Sequence, residues 1–160
     1  ERADMVIDTS DLTNHQLKKL ISDLFQASGE PRLTVTVMSF GFKYGLPLDA
    51  DLVMDVRFLP NPHYIDALRP LTGNDPPVRD YVLGNPSSQA FLSRFVELLT
   101  FLLPHYYREG KSHLVIAIGC TGGKHRSVAL AEAISQALQG EEYRVYVTHR
   151  DVHRDRERER

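Results

Sequence analysis

Ile116-Ala117-Ile118-Gly119-Cys120-Thr121-Gly122-Gly123-Lys124-His125-Arg126-Ser127 is an apolar run that breaks into glycines and then into cations. That order of residue types is the order of a strand delivering a loop to the N-terminus of a helix. Gly122 and Gly123 can turn backbone N–H groups inward at little steric cost, and the following helix offers unpaired N–H donors and a positive dipole end. Lys124 and Arg126 add full charges, Arg126 with the planar fork that suits a phosphate. The stretch reads as an anion cradle in an α/β fold. By itself it leaves open whether the anion is bound, hydrolysed or transferred.

Working outward, Leu33 to Met38, Leu52 to Val56, His113 to Gly119 and Tyr143 to Val147 read as strands. Between them come a short helix near Val78 to Leu83 and a core-facing helix carrying Phe91, Leu92, Phe95, Leu98, Leu99 and Leu102. Asn85 caps the second of these, and Pro104 is expected to end or kink it. A third helix, with Val128, Leu130, Ala131, Ile134 and Leu138, follows the loop and is stopped by Gly140. Strands separated by helices imply right-handed crossovers and a mostly parallel α/β sheet. Ligands of such sheets bind beyond the carboxyl ends of the strands. The polar groups at those exits are Ser39 to Lys43, Asn61 and His63, Cys120 to Ser127, and Thr148 to Arg150. All four exits are expected to meet in one crevice.

Before the first of these strands, Ala3 to Ile7 reads as a strand or extended end. Leu17, Leu20, Ile21, Leu24 and Phe25 then recur at helical spacing up to Gly29-Glu30-Pro31. Residues 1–30 are expected to be a connector or the last element of an upstream domain, residues 31–150 the ligand-binding domain, and 151–160 a charged, disordered tail. The chain opens on Glu1, which suggests a piece of something longer.

Composition narrows the class. With 160 residues, 42% hydrophobic and 25% charged, the chain suits one soluble globular domain. The apolar runs fall short of the roughly 20 residues of a membrane span, so no membrane partner is expected. A single cysteine excludes an internal disulfide, and with no secretory leader in view the cytoplasm is the expected location. A net charge of -2 argues against a surface that clings to nucleic acid everywhere, though a local basic face can coexist with it.

Three chemistries compete for the loop. A nucleotide P-loop needs four residues between its glycines and a hydroxyl after the lysine, whereas Gly119 and Gly123 enclose three residues and His125 follows Lys124. Cys120, Gly123, Arg126 and Ser127 match the C-x-x-G-x-x-R-S loop of cysteine-dependent phosphatases, with Asp75 and Asp80 as candidate acids. Against that stands Gly119 where such loops have histidine. The third chemistry is reversible binding of a phosphorylated metabolite, with Cys120 a packing residue.

Three strings taken together separate these readings: Ser39-Phe-Gly-Phe-Lys-Tyr-Gly45, Asp55-Val-Arg-Phe-Leu-Pro-Asn-Pro-His63 and Gly119-Cys-Thr-Gly-Gly-Lys-His-Arg-Ser127. From about Leu33 to His149 the chain resembles the C-terminal domain of the bacterial RapZ/YvcJ family. The resemblance implies a three-layer α/β sandwich like a phosphofructokinase subdomain, joined to an upstream P-loop domain that hydrolyses ATP or GTP. Val6-Ile-Asp-Thr-Ser10 looks like the end of that upstream domain. The Walker motif is absent here, so no enzymatic activity and no cofactor is expected of this part.

In the RapZ branch the C-terminal domain binds glucosamine-6-phosphate and small regulatory RNA, and the protein is oligomeric. The resemblance implies a ligand site from Ser39, Asn61, His63, Cys120, Thr121, Gly122, Gly123, Lys124, His125, Arg126 and Ser127. His63, Thr121 and Arg126 are its foremost members. Lys43, Lys124, Arg150 and Arg154 are the candidates for RNA. In the tail, however, Asp151, Asp155, Glu157 and Glu159 nearly cancel Arg150, Arg154, Arg156, Arg158 and Arg160. Counterion release needs a net cationic face, so the tail is expected to be a solvated end.

Other patterns lead to bland readings. His149-Arg150-Asp151 lacks the asparagine and glycine loop of a kinase, and His149 with His153 lacks a third metal ligand. Asp49, Asp51 and Asp55 suit a solvated strand entrance, and His15, His105 and His113 suit surface or helix-end positions.

Overall fold

Alternation makes the first strand. In Leu33-Thr-Val-Thr-Val-Met-Ser-Phe-Gly41, β1, the residues Leu33, Val35 and Val37 are buried on one face while Thr34, Thr36 and Met38 stay half-buried on the other. β3 (His113–Cys120) buries every residue after His113, as its near-continuous apolar run requires. β2 (Leu52–Asp55) and β4 (Tyr143–His149) alternate half-buried with exposed positions. The order β2-β3-β1-β4 explains the difference, since the two alternating strands are the edges. All pairings are parallel, with Val37 beside Ile116 and Val147. The computed structural model describes residues 6–14, 16, 17, 20, 21, 33–140 and 142–154.

The helices lie where right-handed crossovers put them. α1 (Pro76–Leu83) and α2 (Pro86–Arg108) connect β2 to β3, and α3 (Arg126–Leu138) connects β3 to β4. Both connections step the same way across the sheet, and the three helices pack on one another, with α3 against the strands. α3 touches β1, β3 and β4 together with both other helices. Its small residues Ala129 and Ala131 allow that approach, and Val128, Leu130 and Ile134 are wholly buried with them. An all-parallel sheet with packed helices is the α/β fold expected, and it agrees with a three-layer sandwich.

Some local expectations are revised. α2 runs through Pro104 to Arg108, beyond the point where proline was expected to stop or bend it. Leu99 and Leu103, which directly precede Thr100 and Pro104, have no exposed surface, and Tyr106 packs on the same core. Burial of that last turn outweighs the one hydrogen bond that proline removes. Asn85 caps α2 as read, its side chain accepting from the Ser87 N–H at 2.9 Å.

Toward the chain start, Val6 and Ile7 form no strand, while Asn14, Gln16, Leu17, Leu20 and Ile21 are helical. Ala3 to Met5, Leu24, Phe25 and Gly29 to Pro31 lie outside the described residues. At the other end, Asp151 and Val152 are 1% and 9% exposed, so the packed body extends past the boundary expected at residue 150. No helix among the described residues is long and apolar enough to cross a membrane.

Leu99 sits where α2 meets this core. Leu99→Ala is expected to cost about 2–5 kcal/mol, read as a lower midpoint in urea unfolding with an unchanged slope.

Candidate functional site

Two backbones touch beneath the loop. Parallel register sets Gly41 beside Cys120, and a methyl group added to Gly41 would lie 2.6 Å from the Gly122 carbonyl carbon. Gly123 has φ 74°, and a methyl there would meet the Gly41 nitrogen at 2.7 Å. Neither position has room for a side chain. The Gly41 N–H donates to Asp151 Oδ2 at 2.8 Å, and the Lys43 N–H to the Thr121 carbonyl at 3.2 Å, so the exit of β1 is fastened to the loop at two points.

The loop's own amides are not used in this fastening. The N–H groups of Gly122, Gly123, Lys124 and His125 donate to no backbone or side-chain acceptor among the described residues. α3 then begins at Arg126 without a side-chain cap. Open amides, an uncapped helix start and adjacent cations are the elements of an anion site.

A cleft of about 840 Å³ opens over this junction, lined by Lys43 from the β1 exit, Asn61 and His63 from the β2 exit, and Cys120 through Gly122 with Lys124 through Arg126. Tyr64, Asp66, Arg69 and Pro70 complete the wall. Asn61 begins a 3-10 turn at Pro62–Tyr64, its side chain accepting from the His63 N–H at 3.3 Å, which fixes how the β2 exit folds over the loop. Three of the four strand exits therefore meet. The fourth does not, because β4 is the edge strand beyond β1, and His149 and Arg150 bind β1 and its exit instead.

Arg126 is 4% exposed and has two tasks. Nη1 donates to the carbonyls of Arg57 at 2.7 Å and Leu59 at 3.0 Å, tying the β2 exit to α3. Nη2 lies 3.3 Å from Thr121 Oγ1, and the buried Nε has no partner among the described residues. Lys124 Nζ and His125 Nε2 both reach the Arg69 carbonyl, at 3.1 and 3.2 Å. Arg69 in turn donates through Nε to the His63 carbonyl at 2.9 Å and pairs through Nη2 with Asp66 at 2.7 Å.

Other expected members stand apart from the cleft wall. Ser39 has no exposed surface, and its hydroxyl lies 2.8 Å from His149 Nδ1, while His149 Nε2 reaches Glu132 at 3.0 Å. Ser127 is equally buried, 3.1 Å from Cys120 Sγ, and Gly123 is pressed against Gly41. These three support the loop from below.

Arg150 and Arg154 turn inward. Arg150 binds Asp151 Oδ2 through Nη2 at 2.7 Å and the Gly45 carbonyl at 2.7 Å, and it stacks over Phe40. Arg154 Nε is 3.2 Å from Asp151 Oδ1, at ion-pair distance though outside hydrogen-bond alignment. The start of the expected solvated tail is thus a buried carboxylate between two arginines.

Several of the remaining acidic and imidazole candidates are also engaged, while His15 lies outside the described residues. Asp75 accepts from the N–H and hydroxyl of Thr72 at 2.7 and 2.8 Å, and Asp80 lies near Arg79 on exposed α1. Neither lines the cleft. Asp51 accepts from Lys111 and from the Val115 N–H, and Asp55 holds Arg57 in a forked pair whose hydrogen bonds keep its carboxyl below the usual range. His113 meets Thr36 and His105 packs on Phe101.

Sequence reading missed Asp66, Arg69 and Asp151. For the first two the available signal was continuity, because the proline-stiffened β2 exit runs on without periodicity to Leu71. For Asp151 there was none in the local pattern.

Burial pushes the His125 imidazole below its ordinary 6.5, with backbone acceptors at Arg69 and Leu71 working against it and the charges of Lys124 and His63 adding to it. The unfolded chain therefore takes a proton here before the folded chain does.

Fold and cleft together define an α/β domain with an anion-receiving geometry at the carboxyl edge of a parallel sheet. A family model described as the RapZ C-terminal domain matches residues 33–153, and the chain belongs to that family. It is 60% identical over 151 residues to a nucleotide-binding protein of Moorella thermoacetica, covering 94% of this chain and 50% of that protein. A nucleotide-binding protein of Heliobacterium modesticaldum is 58% identical over 156 residues, 97% of this chain and 52% of its own. One from Mycobacterium avium is 55% identical over 157 residues, 98% and 53% respectively. The chain spans about half the length of the curated relatives it matches.

Two outcomes test this geometry. Gly123→Ala, with a positive φ and no free space, should lower stability by roughly 1–3 kcal/mol, seen as a drop in melting temperature. Stability should also fall as pH drops below about 6.5, through the window down to the lowered folded value, and His125→Gln should flatten that part of the profile measured by urea unfolding.

Proposed function

We propose that this domain holds a phosphate-bearing metabolite, a phosphorylated amino sugar or related anion, non-covalently at the Cys120–Ser127 loop. It serves as the sensor of a larger nucleotide-binding protein. The observation that supports this most is the meeting of Lys43, His63, Lys124 and Arg126 with open loop amides in one cleft.

Magnitudes favour the whole constellation over the helix end alone. A helix N-terminus contributes about 0.3–2 kcal/mol to an anion, whereas a millimolar complex already needs about 4. Charge-assisted hydrogen bonds at about 1.5–3 kcal/mol each make up the difference.

The rest of the protein enters the same reading. ATP or GTP hydrolysis belongs to an upstream P-loop domain, in keeping with the relatives' name and the half of their length that is unmatched. The location is the cytoplasm and the assembly a homo-oligomer. Small regulatory RNA is a further partner. Lys43 and Lys124 suit it better than Arg150 and Arg154, which Asp151 draws inward.

One contact favours a second reading. Cys120 Sγ lies 3.1 Å from Ser127 Oγ in a Cys-x5-Arg loop, as a thiol nucleophile would need. Arg126, however, spends Nη1 on two carbonyls, and Asp66, the carboxylate lining the cleft, is held by Arg69.

Glucosamine-6-phosphate should raise the melting temperature of the parent chain. Lys124→Ala should weaken that effect at least about tenfold, the loss of one charge-assisted bond, while Cys120→Ser retains it. Arg126→Ala should abolish it, with circular dichroism used to separate lost binding from a displaced β2 exit. Turnover of an aryl phosphate that disappears in Cys120→Ser would overturn the binding reading. RNA affinity should fall steeply with salt, and less steeply in Lys43→Ala or Lys124→Ala. A flat salt response removes RNA from the proposal.

A further inference from the structure

His125 occupies an unusual place in the cleft. The residue is 7% exposed yet forms part of the wall, and Nε2 is tied to the Arg69 carbonyl at 3.2 Å. The groups facing it are nearly all positive or neutral. Lys124 and Arg126 flank it on the loop, His63 and Arg69 face it from the β2 exit, and Lys43 lines the cleft from the β1 exit. Cys120 lies at the end of β3. Asp66 is the one carboxylate in the wall among the described residues, and its Oδ1 is 2.7 Å from Arg69 Nη2.

Backbone acceptors at Arg69 and Leu71 welcome a proton on the ring, while burial and the neighbouring cations resist it. The balance lacks a negative charge. An anion in the cleft would supply it, cancelling the repulsion from Lys124 and His63 at the moment of binding. Binding and protonation then favour each other, because linkage between two ligands of one site is reciprocal.

We propose that an anion entering this cleft brings a proton onto His125, so that the domain reports its ligand and the ambient pH as a single quantity. The inference rests on the anion-binding reading above and adds its regulation.

Sulfate is a suitable probe, since it keeps the same charge between about pH 6 and pH 8 while phosphate does not. Calorimetric titration of the chain with sodium sulfate should show an association constant that rises as pH falls across that range, at most about tenfold per unit for one proton. At about pH 7, titrations in buffers of low and high ionisation enthalpy should differ in heat by the uptake of part of a proton. That measurement needs no variant. His125→Gln should bind with a flattened pH slope, whereas His63→Gln should bind more weakly with the slope kept.

Sulfate binding with no pH slope and no buffer dependence overturns the linkage and leaves the anion site standing. A slope lost in His63→Gln and kept in His125→Gln overturns the assignment to His125. No sulfate binding at any pH removes the site itself, and the linkage with it.

Discussion

The contact between Gly41 and the Gly122-Gly123 backbone is the constraint on which the rest of the site depends. With no side chain between them, the exit of β1 and the loop after β3 lie against each other, and the chain continues through a positive φ at Gly123. Asp151 locks the arrangement by accepting the Gly41 N–H. Phe40 and Phe42 close over Gly119, where a methyl group would meet both rings at 2.5 Å. With the loop held in this way, its amides are left without protein acceptors among the described residues, and α3 begins directly after it.

Charge is handled differently on the two sides of that contact. Behind the loop, Arg150 and the half-exposed Arg154 converge on the buried Asp151, which compensates one of their two charges. In the cleft, Lys124, His125 and Arg126 are held by carbonyls of Arg57, Leu59 and Arg69. Carbonyl dipoles orient a cation without neutralising it. The positive potential of the cleft therefore remains available to a visitor, and the same bonds fix the β2 exit in place.

Much of this was readable from residue order. Period-2 and period-3.6 patterns mark the strands and helices because each element buries one face. The Ile116–Ser127 run and the prolines around Asn61 mark two of the exits, because glycine and proline dictate backbone shape locally. What escaped reading depends on distant partners. Asp151 sits in an alternating charged run that looks solvated, yet its burial is set by an amide 110 residues away. Asp66 and Arg69 lie in a segment without periodicity, so nothing local says which way they point. Arg126 was legible as a cation at a helix start, but its hold on Arg57 and Leu59 was not. Pro104 shows the converse, a strong local signal outweighed by the packing of Leu99 and Leu103.

The burial of α3 has a mechanical consequence. A helix enclosed by three strands and two other helices is a stiff post, and the loop is mounted on its end. The opposite wall, from Arg57 to Pro70, is largely exposed apart from Leu59, Pro62 and Leu68, and hydrogen bonds through Arg126, Lys124 and His125 also join it to that post. The post is thus held on every side by packing, while the wall is held by a few buried residues and these bonds. The surface of that wall is where the cleft meets the solvent, with Tyr64 and Asp66 both exposed.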